Sequence, residues 1–120
     1  MNNSFAYAIP GLKFRPDHRN PDSPMGLSKA ILIREKVAHH FRLSIGEITS
    51  KSRKPQYVLP RQIAIAMIKE HTSLTHTSTG RLFGYRDHTT VIHSLQAIKN
   101  YVDTGDEKVI ALIQHFRQIV

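Results

Sequence analysis

The run Ile63-Ala64-Ile65-Ala66-Met67-Ile68 is the strongest constraint on what this chain can become. Wound as a helix over residues 61–71, it is apolar nearly all round. A helix of that kind belongs at the centre of a fold, as the most buried element. Its polar exceptions, Arg61, Gln62 and Lys69, are expected to mark the face that meets solvent or a partner. Pro60 suits the first turn of this helix, where the missing amide donor costs nothing.

The rest of the chain supplies helices to pack around it. Ser28 can cap a helix starting at Lys29, in which Ile33, Val37 and Phe41 recur at i, i+4 and i+8, with Ala30 and Ala38 close by. Ser44-Ile45-Gly46-Glu47 has the form of a capping box and opens a second, short helix. Thr49 to Pro55 reads as a polar basic loop. A short helix over about 77–83 ends at Gly84, a common residue just past a helix end. Asp87 or His88 then opens a helix to about Val102, with Val91, Leu95, Ile98 and Val102 as one core stripe. Thr104-Gly105-Asp106 breaks it. A last helix, Glu107 to Gln118, buries Val109, Leu112, Ile113 and Phe116. No alternating pattern exceeds three or four residues. The fold expected is all-α, with about six helices over residues 28–120. Residues 1–27, with Pro10, Pro16, Pro21 and Pro24, read as a flexible leader.

Charge narrows the class. Seventeen Lys and Arg stand against nine Asp and Glu, a net +8. Residues 28–62 hold eight of the basic groups and two of the acidic ones. A patch concentrated in this way can make several phosphate contacts, each releasing counterions. There are no cysteines, so disulfides and thiolate metal sites are excluded. No apolar run approaches the roughly 18–20 residues that span a bilayer, and the start carries no secretory pattern. A cytoplasmic protein is expected.

Residues 77–97 form a unit: a short helix ending at Gly84, a tight turn Tyr85-Arg86-Asp87, and a longer amphipathic helix. This is the layout of a helix-turn-helix, whose second helix enters the major groove with its N-terminal residues at base edges. Those residues here are Asp87, His88, Thr89 and Thr90. Aspartate can accept from cytosine N4, threonine offers a hydroxyl or a methyl, and histidine can donate or accept. Asp87 can equally cap the helix through the amide of Thr89 or Thr90. The two roles are compatible, since a carboxylate has two oxygens.

Pro60-Arg61-Gln62-Ile63-Ala64-Ile65-Ala66-Met67, followed at fixed distance by Phe83-Gly84-Tyr85-Arg86-Asp87-His88-Thr89-Thr90-Val91-Ile92-His93, resembles the C-terminal DNA-binding domain of the bacterial replication initiator DnaA. The similarity runs over roughly residues 28–118. It implies an all-helical domain that reads a short duplex element, the DnaA box. By position, it implies Asp87, His88, Thr89 and Thr90 in the major groove and Arg53 in the adjacent minor groove. It implies Arg61, Gln62 and Lys69 on or near the phosphate backbone, and Arg86 close to the DNA. Two departures stand out. The family usually has two glycines before Arg-Asp-His, and here the second is Tyr85. If that position needs a positive φ, tyrosine costs about 1–2 kcal/mol there, unless Gly84 carries the special angle alone. Two apolar anchors of the first motif helix have become His76 and Thr79. If both are buried, packing weakens by about 1–3 kcal/mol, and the preferred sequence is open to change.

Other chemistries find little support. No G-x-x-x-x-G-K-[ST] occurs, so no nucleotide partner and no ATPase activity are expected. His88 and His93 lie about 140° apart on a helix and the adjacent His39 and His40 about 100° apart, so no metal and no cofactor are expected. No enzymatic role follows. Expected partners are double-stranded DNA and, through the resemblance, replication initiation proteins; no membrane partner is expected. An alternative is a protein–protein interaction or transcription-regulatory module that keeps this fold with altered DNA specificity. RNA is disfavoured, because a recognition helix does not fit the deep, narrow A-form groove.

Overall fold

In the computed structural model, which describes residues 23–120, the apolar run lies on α3, Pro55–His71, the axis around which the other helices are arranged. These are α1 (Pro24–His40), α2 (Ile45–Ile48), α4 (His76–Arg81), α5 (His88–Asp103) and α6 (Glu107–Ile119). All five touch α3, and α1 and α5 do so most extensively. Every residue from Ile63 to Glu70 is buried. Among the described residues there is no strand, and no helix is long and apolar enough to cross a membrane.

Local chemistry sets most boundaries. Ser44 and Glu47 form a full capping box: the Glu47 amide donates to Ser44 Oγ at 3.1 Å, and the Ser44 amide donates to Glu47 Oε1 at 2.8 Å. Asp106 caps α6 by accepting from the Val109 amide at 3.0 Å. Thr75 caps α4 by accepting from the Ser78 amide at 3.1 Å. The stripe of α5 buries Val91, Leu95 and Ile98, while Val102 is only half-buried against the core. On α6, Val109, Ile113 and Phe116 are buried and Leu112 lies at the core's edge.

Two helix starts differ from expectation, for one reason. Helix α1 begins at Pro24 with Ser23 as its cap, not at Lys29 after Ser28. Helix α3 begins at Pro55, not near Pro60. In both, a proline occupies the first helical position, where its fixed φ suits the turn and no amide is missed. Pro60 is inside α3 and buried, where it removes one backbone bond, to the Gln56 carbonyl. The expected leader therefore does not extend to residue 27; its first 22 residues lie outside the described ones.

The largest difference concerns Arg61 and Lys69. Neither faces solvent: their exposures are 5% and 4%. Arg61 turns its guanidinium onto loop carbonyls and Lys69 turns its ammonium onto the Leu74 carbonyl. An apolar helix contacted by five others has no free face for them, so the charges are satisfied from within. Gln62 is half-buried.

Candidate nucleic-acid interface

The candidate interface is built from α4, the turn 82–87 and the start of α5. The turn closes tightly on α4, with the Phe83 and Arg86 amides both donating to the Gly80 carbonyl, at 3.1 and 2.9 Å. Gly80 makes this approach possible. A Cβ there would lie 2.2 Å from the Arg86 carbonyl oxygen. From the far side, the Arg34 guanidinium on α1 donates to the Leu82 carbonyl and braces the turn.

Asp87 caps α5, accepting from the Thr89 amide at 3.3 Å and contacting His88 Nδ1 at 2.8 Å. Its cap and its exposure coexist, since Asp87, His88 and Thr89 all stand exposed at the tip, with Thr90 half-buried behind them. The helix start therefore presents acceptors, donors and a methyl group together, the inventory that base edges demand. His93 is exposed one turn further along.

The basic loop 49–54 is fastened beside this tip. Arg61 Nε donates to the Ile48 carbonyl at 2.9 Å, and Nη2 to the Ser50 carbonyl at 2.8 Å. Nη1 and Nη2 also reach the Ser52 carbonyl, each at 3.3 Å. Arg86, from the turn, donates to the same Ser50 carbonyl. Gly84 completes the joint. Its φ is +79°, and a Cβ there would lie 2.5 Å from the Thr49 carbonyl oxygen. Loop and turn thus meet backbone to backbone. Lys51, Arg53 and Lys54 project from the outside of the clamped loop and are exposed. Among the described residues neither guanidinium of the clamp forms a salt bridge. Burial, then the charge of Arg86, lowers the Arg61 pKa to about 10, which leaves it charged at neutral pH. Cationic charge is held here without an internal counter-charge.

The structure therefore brings Arg53, Arg61 and Arg86 into one assembly with Asp87, His88, Thr89 and Thr90. Lys69 lies apart, at the other end of α3, where it secures the 72–75 segment through Leu74. Sequence reasoning missed that Ser50, through its carbonyl alone, joins the assembly; no side-chain signal could have shown it. Among the described residues no group of three or more His, Cys, Asp or Glu is placed to hold a metal ion.

Residues 31–98 match the family model described as the bacterial dnaA protein helix-turn-helix. The chain belongs to that family. Similar proteins carry the name chromosomal replication initiator protein DnaA. One from Citrifermentans bemidjiense is 37% identical over 87 residues, 72% of this chain and 19% of its own length. One from Thermus thermophilus is 40% identical over 83 residues, 69% of this chain and 19% of its own. One from Treponema denticola is 41% identical over 81 residues, 66% of this chain and 17% of its own. The chain thus spans about a fifth of the curated relatives it matches. No solved structure matches it.

Against the DnaA pattern, the two departures have structural consequences. Tyr85 does carry a positive φ, +57°, next to Gly84 at +79°. The turn therefore needs two left-handed residues in a row, and tyrosine bears a cost of about 1–2 kcal/mol that glycine would not. His76 and Thr79 are both buried. Thr79 satisfies its hydroxyl on the Thr75 carbonyl at 2.8 Å. His76 does not: both ring nitrogens are buried without a hydrogen-bond partner. Burial, then the charges of Lys69 and His88, pushes its pKa down to about 4. The ring is neutral and substitutes for an apolar anchor at the expense of two unsatisfied nitrogens.

Proposed function

We propose that this DnaA-type domain binds double-stranded DNA sequence-specifically, at a DnaA-box-like element, in origin recognition or its regulation. Asp87, His88, Thr89 and Thr90 read the major groove. Arg53 enters the adjacent minor groove. Arg61 and Arg86 fix the loop that carries Arg53 and leave their charge unneutralised behind it, which favours the phosphate strand. Gln62 lies near that strand, whereas Lys69, buried at the other end of α3, acts indirectly by securing the segment that leads into α4. The work would take place in the cytoplasm, at the nucleoid, beside other replication initiation proteins.

The observation that carries this reading is the joint between turn and loop. A helix start rich in base-reading groups and an exposed arginine loop are locked into one rigid body, through Gly84 on Thr49 and two guanidiniums on Ser50. Two probes with a fixed offset can enter two adjacent grooves together. A single recognition helix buries only about 600–1,000 Å² on DNA, so the second probe matters for affinity. The test is binding to a duplex with a DnaA-box-like element against a shuffled duplex, for the wild type, Arg53→Ala and Thr89→Ala. Preference for the element, lost in both variants, supports the reading. A domain that binds all duplexes equally weakly overturns it and favours a protein-interaction role for the fold.

A further inference from the structure

Tyr85 is the residue of the reading head that nothing yet explains. It holds a left-handed φ of +57°, a conformation that bulky side chains rarely adopt. It recovers nothing for that strain within the protein: it is 82% exposed. Its hydroxyl has no hydrogen-bond partner among the described residues. Strain held at an exposed position, in a turn that glycine would occupy freely, points outward to a bound ligand.

The position says which ligand. Tyr85 stands between two elements that the proposed function sends into neighbouring grooves. On one side is the start of α5, Asp87 to Thr90. On the other is the loop of Arg53, to which Tyr85's neighbours are bolted: Gly84 packs on Thr49 and Arg86 donates to Ser50. Between a major groove and the adjacent minor groove runs one sugar–phosphate strand. A side chain rooted midway between the two probes faces that strand. Its backbone is fixed on both sides, so the direction in which the side chain leaves the turn is set before binding. Tyrosine is among the side chains that contact phosphate and sugar.

We infer that Tyr85 is an additional DNA-contacting residue, whose ring packs on the backbone between the two grooves and whose hydroxyl donates to a phosphate oxygen there. This rests on the duplex-binding reading above. The contact reports backbone position and not base identity, so it strengthens binding to every duplex. It carries no charge and releases no counterion, so it leaves the salt dependence alone.

The experiment compares wild type with Tyr85→Gly, Tyr85→Asn and Tyr85→Phe. Glycine and asparagine both accept a left-handed φ, and only glycine loosens the turn. Thermal unfolding and duplex affinity are measured for each, on element-bearing and shuffled DNA. The expected result is a pair of opposite shifts. Tyr85→Gly and Tyr85→Asn unfold at higher temperature than wild type, yet bind both duplexes about tenfold more weakly, the range of one hydrogen bond to a charged group. Tyr85→Phe loses most of that affinity without the gain in stability. The slope of affinity against salt stays the same throughout. Tyr85→Gly or Tyr85→Asn binding as tightly as wild type overturns the inference, and full affinity in Tyr85→Phe overturns the hydroxyl contact. A wild type with no preference for the element refutes the underlying reading instead, an outcome distinct from these.

Discussion

Arg61, on the central helix, and Arg86, in the turn between α4 and α5, converge on one acceptor, the carbonyl oxygen of Ser50. Two cations sharing a neutral acceptor repel one another, and burial disfavours both charges. A fold keeps such an arrangement when position matters more than electrostatic comfort. Here it fixes the loop of Arg53 against the start of α5.

Removing the clamp should therefore cost both stability and function. Arg61→Met strands the carbonyls of Ile48 and Ser52 and leaves Ser50 to Arg86 alone, and a loss of about 2–3 kcal/mol is expected by chemical denaturation. Arg61→Lys keeps the charge but not the fork, and should recover less than half of the loss. Amide exchange in residues 50–54 should quicken in both.

Arg53→Ala should behave in the opposite way. The side chain is exposed and makes no contact that holds the fold. Stability should change by no more than about 0.5 kcal/mol, while duplex affinity falls about 10- to 100-fold, as for a lost groove contact. Denaturation and anisotropy titration on the same protein separate the two effects.

Gly80→Ala tests the closeness of the turn. Its new methyl group would meet the Arg86 carbonyl at 2.2 Å, and that atom is backbone and cannot swing aside. A destabilisation of at least about 2 kcal/mol is expected, with the Arg86 amide losing exchange protection.

His76 gives stability a pH dependence. Folded, its ring takes a proton only near pH 4, whereas the unfolded chain takes it near 6.5. Between those values the unfolded state binds more protons. Stability is therefore full above pH 6.5 and falls as the pH drops through the window, by about 3 kcal/mol in all. His76→Leu should raise stability at neutral pH, by removing two unsatisfied nitrogens, and should flatten the wild-type decline between pH 6.5 and 4. A His76→Leu domain with an unchanged acid limb would assign that decline to other groups.

Local rules made much of this molecule legible. The Ser44–Glu47 box, the cap at Asp87 and the stripe Val91-Leu95-Ile98 are all encoded within a few residues, and the structure has them in place; the helix expected to run to Gly84 instead stops at Arg81, with Leu82 as its cap. The helix starts were harder, because two prolines, Pro55 and Pro60, compete for one first turn and the pattern does not rank them. Arg61 and Lys69 read as a face toward solvent or a partner, yet both are buried, because their acceptors lie outside the helix and far from its own pattern. A better signal was present: a helix apolar all round leaves no outer face, so its charges must find partners inside. Tyr85 was legible only as a condition, because a positive φ depends on how the turn docks against Thr49.

In the proposed function, one rigid body carries two groove probes. This is tested most directly by anisotropy titration of a DnaA-box-like duplex and a shuffled duplex at two salt concentrations. A preference of at least about a hundredfold for the element is expected, surviving the higher salt while non-specific binding collapses. Equal affinity for the two duplexes, falling together as salt rises, would contradict it.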